Sequence, residues 1–135
     1  MNEQAIAVAA QASLEGTQSF PEIVAALMQA GVEYYHVDYA TRRMSYYTAD
    51  GGRISSAITY EDLPSIAADF SAEQLKAAIL DSQRHGQKFQ AFSCRAMAAG
   101  VQGYYAFLRG RRVTYLGRQG DQHTEWFPGA APARP

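Results

Sequence analysis

Apolar residues recur along the chain with two periods, and the same succession of periods is written twice. A helical stripe over residues 3–15 carries Ile6, Ala9 and Ser13. A second over 72–85 carries Leu75, Ala78, Ile79 and Ser82, opened by a capping-box pattern at Ser71 and Gln74 and stopped by Gly86. Each is followed by another helical pattern, over about 20–30 and 89–99. Phe20, Ile23, Leu27 and Ala30 line one face of the first, and Phe89, Phe92, Ala96 and Ala99 line one face of the second. Ser19 and Glu22 form a further capping-box pattern, Pro21 is tolerated in a first turn, and Gly31 and Gly100 end these helices.

The period then falls to two. Strands are expected over about 33–39, 43–48 and 53–58, and again over about 102–108, 112–117 and 122–127. Turns at "ATR", "RGR", "DGG" and "QGD" separate them. "EDLPSIAADF" joins the two series, with a helical turn expected after Pro64.

A shift of 69 residues superposes the two series. Between Gln18–Gly51 and Gln87–Gly120, 11 of 34 positions are identical, where typical residue usage gives about two by chance. The chain therefore reads as an internal duplication, too long in period for a solenoid. The expected fold is α+β: two helix–helix–three-strand meander units about a pseudo-twofold axis, in antiparallel sheet with helices packed against it. One domain, 1–128, would hold repeats of about 1–69 and 70–128, and residues 129–135, rich in Pro and Ala, would form a flexible tail.

Composition narrows the function classes. At 135 residues the chain can bury a core without staples. Its net charge of −1 offers no bulk field toward nucleic acid or anionic lipid, so neither partner is expected. The run Ala5–Ala10 follows Glu3 rather than Lys or Arg and is interrupted by Gln11, unlike a signal peptide or membrane span. With Cys94 as the single cysteine, a cytoplasmic location is expected. Charged residues are only 19% of the chain, and in the second repeat Tyr105, Phe107, Leu116 and Trp126 oppose the face of Tyr104, so both faces of that meander are apolar. The other repeat, a second subunit or a ligand must cover the extra face, and a homodimer is expected.

"AGV..YY", "GRRVTYLGRQGD" and the closing "HTEWFP" resemble the YdfO-like (YbcV-like) family of short uncharacterised proteins from bacteria and prophages, over roughly residues 1–128. The resemblance implies a duplicated α+β domain and carries no catalytic residues.

Candidate chemistry lies where the repeats disagree. His36 and Asp38 stand where the second repeat has Tyr105 and Phe107, and His123 and Glu125 stand where the first has Ile54 and Ser56. A duplicated scaffold needs its fold residues twice but its chemistry once. His123, Glu125, Trp126, Tyr105, His36 and Asp38 are therefore the candidate ligand-binding residues of a seam between repeats, the ligand being an unknown small molecule. Asp121, His123 and Glu125 share donor types with zinc and manganese sites. Residues two apart on a strand stand about 7 Å apart, and a polar edge strand needs no metal, so no metal ligands and no cofactor are expected. Phosphate-loop, dinucleotide, zincin and nucleophile-elbow motifs are missing. No nucleophile accompanies either His–carboxylate pair, and Cys94 reads as a packing residue, so no catalytic residues are expected. The leading expectation is a non-enzymatic ligand-binding domain. The alternatives are an interaction module with an aromatic surface, and an enzyme using His123 with Glu125 or His36 with Asp38, metal-assisted or not. The Arg42–Arg43 and Arg111–Arg112 doublets read as solvated turn charges or as an anion clamp.

Overall fold

A computed structural model describes residues 2–130. Helices α1 (Glu3–Glu15) and α2 (Phe20–Gln29) precede strands β1 (Val32–Asp38), β2 (Arg43–Thr48) and β3 (Arg53–Ala57). The series repeats as α3 (Ala72–His85), α4 (Phe89–Ala98), β4 (Val101–Phe107), β5 (Arg112–Gly117) and β6 (Gln122–Trp126). All six strands form one antiparallel sheet in the order β3-β2-β1-β4-β5-β6.

The duplication is visible down to single bonds. Asn2 caps α1 by accepting from the Ala5 N–H, and Ser71 caps α3 by accepting from the Gln74 N–H. The Asn2 N–H donates to the Ala30 carbonyl and the Ser71 N–H to that of Ala99. The hairpin turns place Arg42 and Arg111 at φ 58° and 59°, and Gly31 and Gly100 both stand at φ 95°.

The repeats meet through β1 and β4, where His36 opposes Tyr105 at the centre of the pairing. A twofold relation exchanges Tyr34↔Phe107 with Asp38↔Gly103 and maps the central pair onto itself. The repeats thus lie edge to edge in one sheet. One repeat does not cover the second face of the other, as the first of the three expected covers would have it, because strand pairing consumes the inner edges of both meanders. Alternation sends Tyr35, Val37 and Tyr39, with Tyr104, Ala106 and Leu108, into the core beneath the helices. Ile6, Leu27, Leu75 and Met97 meet them from above, all nearly or wholly inaccessible. The buried Tyr39 hydroxyl donates to Ser93 Oγ at 2.9 Å, which removes an otherwise unpaired polar group from the core.

The linker departs from expectation. No helical turn follows Pro64, and residues 58–71 run without regular structure. The segment is tied sideways instead. Tyr60, Leu63, Ile66 and Phe70 pack on the core, Tyr60 donates to the Leu14 carbonyl at 2.6 Å, and the Ala67 N–H donates to Met97 O. Its polar backbone is satisfied by neighbours, so it does not need a helix. Of the expected tail, residues 131–135 lie outside the described residues, and the Ala130 N–H still bonds the Phe127 carbonyl.

The linker makes equivalent glycines unequal. A Cβ on Gly31 would meet open space, whereas one on Gly100 would lie 2.4 Å from the Asp69 carbonyl oxygen. Gly31→Ala is therefore expected to cost about 1–2 kcal/mol from its positive φ alone. Gly100→Ala adds a backbone clash and should exceed it by about 1 kcal/mol or more. Urea melts of both variants check this, and equal losses would contradict the packing described.

Candidate functional site

The two repeats cover their strands unequally. In the first, α1 packs against β3, and Ile54 faces the core under it. Among the described residues, α3 makes no comparably close approach to β6. The sheet below is left uncovered, and a cavity of about 620 Å³ opens there. Sheet residues Tyr35, Val37, Met44, Tyr104, Val113 and Tyr115 form its floor. Ile23, Ile79, Phe89, Phe92 and Phe127 form apolar walls, and the two helix–helix corners, Gly16–Ser19 and Gly86–Lys88, form a polar rim. Phe20 meets Phe127 edge-to-face at 5.5 Å and joins the end of β6 to α2. The cavity therefore spans the seam, with walls from both repeats.

Its electrostatics are mostly neutral. Burial pushes the phenols of Tyr35, Tyr104 and Tyr115 well above the ordinary tyrosine range, so the floor presents uncharged rings. Lys88 is a cation at the rim and Glu125 a carboxylate on the wall. Glu125 Oε1 accepts a hydrogen bond from His123 Nε2 at 3.1 Å, and the His123 ring lies against Tyr115 at 6.4 Å. The Gln87 Oε1 atom, also on the lining, is buried with no hydrogen-bond partner. The α2 terminus on the rim carries a complete capping box. Ser19 Oγ accepts from the Glu22 N–H, and Glu22 Oε1 accepts from the Ser19 N–H at 2.8 Å. The α4 terminus has Lys88 as its N-cap and no side-chain acceptor.

The six residues singled out from the sequence divide between the two faces of the sheet. Glu125 lines the cavity, and His123 adjoins it through its bond to Glu125, whereas Trp126 borders the cavity but, paired with Arg112, turns its ring to the other face. His36, Asp38 and Tyr105 stand on the opposite, helix-free face, so Tyr105 and His123 share no wall. His36 stacks on Tyr105 at 4.2 Å, and burial lowers its pKa despite the opposing pull of Asp38. Asp38 is occupied by the hairpin, its Oδ1 accepting from the Ala40 and Thr41 N–H groups. Around them Tyr34 stacks on Tyr47 at 4.8 Å, Tyr105 stacks on Phe107, and Arg112 lies over Trp126. A shallower cleft of about 310 Å³ opens at the edge of this face beside Glu33 and Arg109.

Among the described residues no three His, Cys, Asp or Glu side chains are placed together to hold a metal ion. Cys94 is half-buried beside Tyr60 and Asp62, and burial and the Asp62 charge raise its thiol pKa, the reverse of what activates a nucleophile. Arg43 bonds Ser55 and Arg42 bonds the Tyr39 carbonyl, so these two work within their own hairpin.

The duplicated helix–helix–strand architecture extends from Asn2 into β6, and a family match spans the same stretch. The chain belongs to the DUF1398 family. That family is described as a protein of unknown function, and its model matches residues 2–124. No curated protein is significantly similar to the chain. Among the described residues of this DUF1398 domain, no helix is long and apolar enough to cross a membrane.

Sequence reasoning overlooked Gln87 and Lys88. The signal was the one that selected His123: Lys88 aligns with Ser19, and Ala91 with Glu22, so one repeat lost the cap that the other keeps.

Tyrosine burial gives a pH prediction. Tyr60 is pushed up to about 12 by burial, and Tyr35, Tyr39, Tyr46, Tyr104 and Tyr115 are also raised. The folded state holds these protons more tightly than the unfolded state. The resulting stability is fully present below about pH 10, the unfolded tyrosine value, and is lost as pH rises through 10 and beyond. Phenolate absorbance from these six should appear together with loss of far-ultraviolet ellipticity. Their ionisation near pH 10 in a still-folded protein would contradict the burial.

Proposed function

We propose that this domain is a non-enzymatic binding protein for a small, largely apolar molecule held in the seam cavity. The observation that carries the reading is the cavity itself. At about 620 Å³ it falls within the usual range of ligand sites, its floor is buried aromatic and aliphatic, and its polar groups lie mostly along the helix ends at the mouth, with Glu125 on the wall. His123 and Glu125 belong to its margin, bonded to each other at 3.1 Å. We also read the domain as cytoplasmic, without a nucleic-acid or membrane partner, and as kin to the YdfO-like prophage proteins through "GRRVTYLGRQGD" and "HTEWFP".

The neutral fluorophore N-phenyl-1-naphthylamine tests the cavity. It is expected to bind one per chain with a blue-shifted, enhanced emission. Ser82→Trp, which places an indole on the lining, should abolish this signal, while Leu80→Trp on the exposed side of α3 should keep it. Equal binding by the wild type and Ser82→Trp would refute the reading.

A second reading concerns the helix-free face, favoured by its run of contacting rings from Tyr47 through Tyr34 and Phe107 to Tyr105 and His36, stacked except for the tilted Tyr34–Phe107 step. We propose that two copies pack there as a homodimer. Sedimentation equilibrium should give twice the 14.8 kDa chain mass, and Phe107→Glu should return it to one. A wild-type monomer at high concentration would exclude this.

A further inference from the structure

We infer that the molecule held in the seam cavity is neutral and carries a hydroxyl group, which accepts a hydrogen bond from the Tyr115 phenol and donates one to the Glu125 carboxylate. This rests on the cavity being a binding site, and it adds the chemical class of the occupant.

Five tyrosines are buried in the core, and they divide by where their hydroxyls lead. Tyr39 and Tyr46 lie off the cavity lining, and both are paired, with Ser93 Oγ at 2.9 Å and with Met44 Sδ at 3.6 Å. Tyr35, Tyr104 and Tyr115 form the cavity floor, each only 6% exposed. The Tyr104 hydroxyl is within reach of Tyr39. Those of Tyr35 and Tyr115 bond no protein group among the described residues, where the one side-chain polar atom enclosed without a partner is Gln87 Oε1. These two phenols therefore open onto the cavity. A buried donor left unpaired in apolar surroundings costs free energy, which an occupant that accepts its hydrogen bond removes.

The duplication shows how Tyr115 came to lack a partner. In the first repeat Tyr46 stands opposite Ile54 and Met44 opposite Ser56, and the Tyr46 hydroxyl donates to the Met44 sulfur. In the second, Tyr115 stands opposite His123 and Val113 opposite Glu125. Val113 has no sulfur, so Tyr115 has lost the acceptor that its sister keeps, and a carboxylate has entered the same patch. Diagonal neighbours across an antiparallel pair are about 7–8 Å apart, within reach of long side chains, and the Glu125 charge raises the Tyr115 pKa beyond what burial does. His123 holds Glu125 Oε1 at 3.1 Å, which leaves the other carboxylate oxygen to accept from elsewhere.

These two groups select the occupant. Burial keeps Tyr115 protonated and hence a donor, and a carboxylate only accepts. A hydroxyl accepts from the one and donates to the other without bringing a charge into the cavity. A ketone or ether accepts from Tyr115 but sets a second acceptor against Glu125. A carboxylic acid anion sets a like charge there. An ammonium pairs with Glu125 and leaves the Tyr115 proton without an acceptor.

The test displaces N-phenyl-1-naphthylamine at neutral pH with borneol, camphor and bornylamine, an alcohol, a ketone and an amine on one rigid apolar skeleton. In the wild type borneol is expected to bind about tenfold or more tighter than camphor, because the alcohol alone makes a charge-assisted bond to Glu125, and tighter than bornylamine. Glu125→Ala should bring borneol and camphor level, a ratio taken within one protein so that a loss common to both cancels. Tyr115→Phe removes a single oxygen and should weaken borneol about tenfold, whereas Tyr46→Phe, at the paired sister position, should leave borneol unchanged. Borneol no tighter than camphor in the wild type, bornylamine the tightest of the three, an unchanged ratio in Glu125→Ala or unchanged borneol binding in Tyr115→Phe each overturns the hydroxyl while leaving the cavity reading intact. Failure of the fluorophore to bind the wild type overturns both.

Discussion

The molecule depends on one pairing, that of β1 with β4. Five residue pairs from Tyr34↔Phe107 to Asp38↔Gly103 join two meanders that would otherwise each end in a bare edge. The backbones approach closely enough that a Cβ on Gly103 would lie 2.5 Å from the Val37 carbonyl oxygen. Gly103 aligns with Tyr34, so at this close approach the two repeats carry different residues. Because the joint is edge to edge, all four helices fall on one face and the core forms beneath them as one body.

Once joined, the halves need not remain equal. The first keeps α1 over β3 and fills the space with Ile54 and Ile58. The second puts His123 where Ile54 would be and leaves α3 standing off β6. A polar side chain under a closely packed helix would incur a desolvation cost with nothing to offset it. Beside an open cavity it keeps access to water and to Glu125. The opening and the polar substitutions are two sides of one departure from symmetry. The lost cap at α4 is a third, on the same rim.

Most of the fold was legible because its signals are local. Ser19, Ser71, Gly31 and Gly86 mark helix ends by chemistry acting within one turn, and the alternation through Tyr35, Val37 and Tyr39 fixes which way β1 faces. The mutual arrangement of the repeats was not legible, since both faces of β4 are apolar and the pattern suits a neighbour beside it as well as one above it. For the same reason the candidate site was only partly legible. Repeat comparison flagged His123, Glu125, His36 and Asp38 alike, but only strand register shows that β1 and β6 present these pairs to opposite faces. The linker misled because Pro64 and the spacing of Leu63, Ile66 and Phe70 suit a helix, whereas the anchors that hold it extended, Met97 and Leu14, are distant in sequence.

The central claim is that the asymmetry built a binding cavity at the seam. Methyl-detected NMR of selectively labelled protein, titrated with N-phenyl-1-naphthylamine, addresses it most directly. The account predicts shifts confined to the lining methyls of Val37, Met44, Ile79 and Val113, with Leu116 on the helix-free face and exposed Leu80 unmoved. Shifts at Leu116 with none at Val113 would contradict it.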